Sequence, residues 1–226
     1  MPSPRHLAQA DSSQQSRPEA HNIQIRPAQE ADYPAVIEAL AQAFSQDPVM
    51  GKALGGVGQL ERTRALFDFQ IKTTYGPKGT IDLASSPDGK ILGAALWLSP
   101  QAQKGNLLAD IRALPDYYKV LGRGLGRAAL TELRLLAARP KFDHWYLYTI
   151  GVHEAARGQG VGAQLLDYRR AQLGQYPAYL EASTYRSAAL YARHGFIELF
   201  PFKSGKPVLG MLHPAPQSQV SLKAGA

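Results

Sequence analysis

Apolar and polar residues alternate along "IQIRPA" (Ile23 to Ala28), the period-two pattern of a strand with one buried face. The period then lengthens. In "EADYPAVIEALAQAFSQDP", Val36, Ile37, Leu40, Ala43 and Phe44 recur at helical spacing, and Pro48 stops the run. "MGKALGGVGQLERTRALFDFQIKTTYG" is expected to start as a glycine-rich loop, with Gly55, Gly56 and Gly58, and then turn helical. "GTIDLASSPDGKILGAALWLSP" reads as two strands joined by a turn at Ser86-Pro87-Asp88-Gly89. A helical pattern runs from Asn106 to Ala138, and "GRGLGR" (Gly122 to Arg127) inside it reads as a break or hinge.

The second half alternates more regularly. "HWYLYTIGV" (His144 to Val152) is a strand, "VGAQLLDYRRAQL" a helix and "AYLEAS" a strand. "SAALYARHG" is a short helix closed by Gly195, and "FIELFPF" and "PVLGMLH" are closing strands. The order β-α-α-β-β-α-β-α-β-α-β-β predicts an α/β fold with a mixed sheet. The polar stretches 1–20 and 215–226 read as flexible tails around one domain over 21–214.

Composition narrows the chemistry. With no cysteine among 226 residues, disulfides, thiolate nucleophiles and cysteine-held zinc are excluded, and a cytoplasmic setting is the expectation. The longest apolar run, "ILGAALWL", is strand-sized, well short of the ~18 residues that span a bilayer, so no membrane partner is expected. Charge is uneven: residues 1–110 carry ten Lys and Arg against eleven Asp and Glu, whereas 111–226 carry fifteen against seven. A basic half suits an anionic partner. A nucleic-acid-binding module would satisfy that charge, but no basic–aromatic interleaving of the single-strand-binding kind occurs.

"ARGQGVG" (Ala156 to Gly162) stands where a strand gives way to a helix. Glycine there permits positive φ and leaves amide N–H groups unhindered. The first N–H groups of a helix lack internal partners and carry partial positive charge, so the junction suits a phosphate. It lacks the Lys-Ser/Thr ending of a Walker loop, and its G-x-G-x-G spacing departs from the dinucleotide G-x-G-x-x-G, although Glu181 lies at a compatible distance.

The stretch "HWYLYTIGVHEAARGQGVGAQLL", followed by "YPAYLEASTYRSAALYARHGF", resembles the GNAT superfamily of N-acetyltransferases. Arg157-Gly158-Gln159-Gly160-Val161-Gly162 matches that family's acyl-CoA signature, and Leu190-Tyr191 with His194-Gly195-Phe196 matches its second motif. The close resemblance runs from Trp145 to Met211, with a looser one back to Ile23. It implies a GNAT-like mixed central sheet flanked by helices, with two central strands splayed apart. It implies that amides of Arg157 to Gly162 hold the pyrophosphate of acetyl-CoA, and that backbone groups of Ile150, Gly151 and Val152 hold the pantetheine arm. It also implies that Tyr191 protonates the departing thiolate. Ser187 stands where many relatives carry Asn, and would hydrogen-bond the pantetheine with shorter reach.

The implied reaction moves an acetyl group from acetyl-CoA to an amine by direct attack, with no metal. Glu181, between Leu180 and Ala182 in an apolar strand, is a candidate base if burial raises its pKa; the alternation would equally place it in solvent. His153 is a second candidate, and an amide of Ile150 or Val152 a candidate oxyanion donor. Phe67, Phe69, Tyr75, Tyr117 and Tyr118 are candidates for an acceptor pocket or for core. A small-molecule amine is the expected acceptor of a monomer or homodimer. A protein or peptide acetyltransferase and a non-catalytic acyl-CoA sensor are the alternatives.

Overall fold

The structure, a computed structural model, describes residues 22–104, 115–119, 121–201 and 209–216. The predicted tail 1–20, most of 215–226 and the "KSGK" connection lie outside them. Seven strands form one mixed sheet in the order β1-β2-β3-β4-β5-β7-β6. They are β1 (Gln24–Pro27), β2 (Thr80–Ser85), β3 (Ile91–Leu98), β4 (Trp145–Val152), β5 (Ala178–Ala182), β6 (Ile197–Pro201) and β7 (Leu209–His213).

β2 and β3 form the expected hairpin, with Gly89 at φ 84° and the Ser86 amide donating to the Lys90 carbonyl. β3 is apolar throughout because both of its faces are covered. Ala94 and Leu96 join a core with Val36, Leu40, Phe67 and Ile71 from α1 (Tyr33–Phe44), α3 (Leu60–Gln70) and the turn that follows it. Ala95 and Trp97 join the opposite core with Leu165, Leu166, Tyr191 and Phe196 around α5 (Val161–Arg170) and α6 (Tyr185–Arg193).

The glycine-rich stretch before α3 hides a helix that its pattern does not predict. α2 (Pro48–Leu54) starts because the Asp47 carboxylate accepts from the amides of Val49 and Met50, each at 2.8 Å, and ends at Gly55 with φ 94°. The "GRGLGR" break is present: Gly122–Gly124 form a 3-10 turn, and α4 (Leu125–Ala138) begins immediately after. Residues 115–119 are helical, while 105–114 of the predicted helix lie outside the described residues.

β4 and β5 are the one parallel pair among the described residues, and they stay together only through Trp145↔Ala178, Tyr146↔Tyr179 and Leu147↔Leu180. Beyond Leu180, β5 pairs only with β7, Glu181 opposite Gly210. β4 continues to Val152 paired only with β3. The irregularity between Leu96 and Trp97 in the β3–β4 register, which leaves Tyr148 without an opposite residue, falls at the same level. The two strands therefore part in mid-sheet, as the resemblance implied, and a gap opens between them.

A buried ion pair ties the α5 side of this gap to the sheet. Arg169 in α5 grips Asp82 in β2 with two donors, Nε to Oδ2 at 2.9 Å and Nη2 to Oδ1, and their side chains are 5% and 0% exposed. The guanidinium also lies 5.3 Å from the centre of the Trp145 ring.

Candidate active site

The glycine loop closes one end of the gap. Gly158 (φ 83°) and Gly160 (φ 80°) adopt left-handed conformations that side-chain-bearing residues resist, and Gly160 is the N-cap of α5. Within the signature, the Arg157 amide donates to the Glu154 carbonyl at 3.1 Å and the Gln159 amide to the Ala156 carbonyl at 3.4 Å. The amides of Gly158, Gly160, Val161 and Gly162 have no partner among the described residues. Four donors at a helix N-terminus suit a phosphate. The side chains of Arg157 and Gln159 turn back, to the carbonyls of Ala43 and Ala155. No protein atom lies within 4 Å of where a Cβ on Gly158 or Gly160 would stand.

β4 forms one wall. The amide of His153 donates to the Leu92 carbonyl near the start of β3, so by alternation the backbone groups of Ile150 and Val152 point the other way, into the gap. Gly151 instead aims its backbone at β3. A Cβ on it would stand 2.7 Å from Leu40 Cδ2 and 2.9 Å from Phe44 Cε2, so its glycine serves the approach of α1. His153 caps the turn Glu154–Ala156, accepting from the Ala155 amide at 3.3 Å.

Tyr191 lies on the α5 side of the sheet, 7% exposed and packed against Phe196. Burial pushes its phenol up, with the Asp47 carboxylate adding to the shift. Ser187 is engaged locally. Its hydroxyl donates to the Thr184 carbonyl at 2.8 Å and accepts from the Thr184 amide at 3.2 Å, while the Ser187 amide donates to Thr184 Oγ1. This reciprocal cap starts α6.

Glu181 sits where β4 and β5 part, on the sheet face opposite α5. Its neighbours Leu180 and Ala182 belong to the α5-side core, whereas Tyr146 and Tyr179 share its own face. The residue is not in solvent. Burial pushes its carboxyl up, and the Arg139 guanidinium and the Tyr146 hydroxyl pull against that. Arg139 Nε donates to Glu181 Oε1 at 3.1 Å, and the Tyr146 hydroxyl donates to Oε2 at 2.8 Å. Arg139 Nη2 reaches the Tyr146 hydroxyl at 2.7 Å and Glu132 Oε1 at 3.0 Å. Tyr148 and Tyr75 stack beside this group, with ring centres 5.0 Å apart, and Gln70 donates to the Tyr148 hydroxyl.

Of the aromatic candidates, Tyr75 stacks within this cluster, and Tyr117 adds to the upward shift of the Tyr75 and Tyr148 phenols. Phe67 is core, Phe69 packs edge-on against Tyr117, and Tyr118 is exposed. Arg139 and Tyr146 escaped the sequence reading. The signal for Tyr146 was the alternation of Tyr146 and Tyr148 along one strand face; Arg139, between a helix end and Pro140, carried none.

Among the described residues no group of three metal-ligating side chains gathers, and no helix is long and apolar enough to cross a membrane.

Comparison with known proteins places this geometry. The acetyltransferase (GNAT) domain family matches residues 118–198. A crystal structure from Corynebacterium glutamicum, described as histone acetyltransferase HPA2 and related acetyltransferase, is 35% identical, with 88% of this chain and 99% of that chain covered and a TM-score of 0.68. The chain belongs to the GNAT superfamily of N-acetyltransferases. The mycothiol acetyltransferase of Jonesia denitrificans is 30% identical over 194 residues, covering 78% of this chain; the chain spans 60% of that relative's length. Arylalkylamine N-acetyltransferase 2 from Aedes aegypti shares the GNAT fold at 18% identity, with 84% of this chain and 98% of that chain covered and a TM-score of 0.57.

Proposed function

We propose that this GNAT chain transfers an acetyl group from acetyl-CoA to the primary amine of a small molecule by direct attack. The observation that carries the reading is the set of four unpartnered amides from Gly158 to Gly162 at the end of a gap walled by the backbone of Ile150 and Val152. The loop amides would hold the pyrophosphate, and the β4 edge would hold the pantetheine arm as an added strand does. The N–H of Ile150 or Val152 would donate to the oxyanion as the amine nitrogen bonds to the thioester carbon. Glu181 would take the amine proton, directly or through a water, and Tyr191 would give a proton to the sulfur as the C–S bond breaks.

A small acceptor is supported by the closed setting of Glu181, whose side chain is 8% exposed. The relative named mycothiol acetyltransferase supports it too. The Corynebacterium relative described as a histone acetyltransferase keeps a peptide amine as the second acceptor class. The test is a panel of small amines and lysine peptides with acetyl-CoA, read by free thiol release, beside melting curves. A ligand held at 100 times its Kd adds about 2.7 kcal/mol, so acetyl-CoA should raise the melting temperature and NADH should not. No shift with millimolar acetyl-CoA or coenzyme A would overturn the reading.

A further inference from the structure

We infer that Arg139 is a positioning residue of this site: its guanidinium holds the Glu181 carboxylate ionised and aimed at the mouth of the β4–β5 gap. The inference rests on the reading of Glu181 as the base and deepens it.

The geometry begins with chain direction. Arg139 is the residue after α4, its amide bonding back to the Leu135 carbonyl while its backbone turns extended (φ −60°, ψ 145°) and Pro140 bars further helix. The side chain therefore leaves the helix end toward the sheet and meets β4 and β5 just where their pairing stops. There its Nε faces Glu181 and its Nη2 faces Tyr146 and Glu132, with the guanidinium carbon 3.9 Å from the centre of the Tyr146 ring.

Glu181 is gripped on both oxygens, by Arg139 on Oε1 and Tyr146 on Oε2. A carboxylate oxygen offers more than one acceptor direction, so each keeps one for an incoming amine or a bridging water. The arrangement fixes the rotamer and leaves the basic lone pairs usable.

Electrostatics gives Arg139 its second task. Burial of Glu181, at 8% exposure, pushes its carboxyl toward the protonated form, which cannot accept a proton. Among the described residues, the groups that face it are few. Tyr146 comes from β4, Tyr179 from its own strand, Arg139 from the end of α4 and Glu132 from within α4. Its β7 register partner, Gly210, brings no charge. Among these, Arg139 is the sole cation, Glu132 opposes it, and the two buried phenols stay neutral because burial pushes both up. Loss of Arg139 would therefore move the ionisation of Glu181 to higher pH, and loss of Glu132 would move it to lower pH.

The experiment is the pH dependence of kcat/KM for the best amine of the panel at saturating acetyl-CoA. It is measured for wild type, Arg139→Met, Arg139→Lys, Glu132→Gln and Glu181→Gln, with acetyl-CoA affinity and melting curves alongside. An opposite charge at this range shifts a carboxyl by about one to three units. Arg139→Met should raise the acid limb by that amount and leave acetyl-CoA affinity within about two-fold. Arg139→Lys, which keeps the charge and loses the fork, should restore part of the shift. Glu132→Gln should move the limb slightly the other way, and it changes a half-exposed residue, so it remains a test if Arg139→Met does not fold. An unmoved limb in Arg139→Met, or an upward limb in Glu132→Gln, with Glu181→Gln inactive, overturns the role of Arg139. Wild-type rates in Glu181→Gln would overturn the assignment of the base itself, and the inference with it.

Discussion

On the side of the gap assigned to the coenzyme, the free groups are four backbone amides within five consecutive residues, those of Gly158, Gly160, Val161 and Gly162. On the side assigned to the acceptor they are side chains from the end of α4, β4 and β5, and the central contact, Arg139 to Glu181, spans 42 residues of sequence. The coenzyme end needs only a local chain path, so a few glycines and a helix start suffice to build it. The acceptor side needs three elements docked to within hydrogen-bond distance. The first should resist most side-chain changes and fail when its path is altered. The second should fail when a single polar atom is removed.

The largest effect expected lies in the pin that seats α5. Arg169→Met leaves Asp82 buried without a partner, and breaking a buried pair typically costs about 3–5 kcal/mol. Denaturant unfolding should show a loss of that size, and Asp82→Leu with Arg169→Leu together should recover part of it. A loss below about 1 kcal/mol, the worth of an exposed pair, would mean that α5 and its amides are seated by apolar packing alone.

Next in size is Tyr191→Phe, a side-chain atom on the side otherwise built from backbone. General acids contribute roughly 10²–10⁴-fold, and a thiolate leaves readily, so kcat should fall toward the lower end with acetyl-CoA affinity kept. The phenol donates only while protonated. Burial moves its pKa above the ordinary value of about 10, so wild-type kcat should stay level through the mildly alkaline range and fall only beyond it. Steady-state kinetics from pH 6 to 10 check both statements, and a mutant with wild-type kcat would make Tyr191 a packing residue.

The same contrast governs what could be read from the sequence. The signature from Arg157 to Gly162 was legible because its residues are contiguous, and so was the mixed sheet, whose strands are short apolar or alternating runs between turns. Even there the sequence could not say which amides were free: Arg157 and Gln159 spend theirs on the preceding turn, and Gly151 faces β3. The α2 helix was hidden because three glycines outweighed the Asp47-Pro48 start. Glu181 was legible as a carboxylate in an apolar strand, but its orientation was not, since alternation fits either face. Arg139 and Tyr146 were invisible, because only the reach of the Arg139 side chain from the end of α4 to the parted strands gives them a meaning.

The smallest effect expected is also the one that isolates the backbone argument. Gly160 and Gly174 both hold positive φ, 80° and 63°, and a Cβ on either would meet no protein atom within 4 Å. Gly160 opens α5 among the unpartnered amides, whereas Gly174 lies past the other end of that helix. Alanine at either position should cost about 1–2 kcal/mol through left-handed strain alone, with matched drops in melting temperature. Only at Gly160 should the KM for acetyl-CoA rise, because the space its Cβ enters is the space assigned to the pyrophosphate, and the KM for the amine should stay put. Equal KM values for acetyl-CoA in Gly160→Ala and Gly174→Ala would remove the phosphate from the loop and leave the glycines as a tight turn between a strand and a helix.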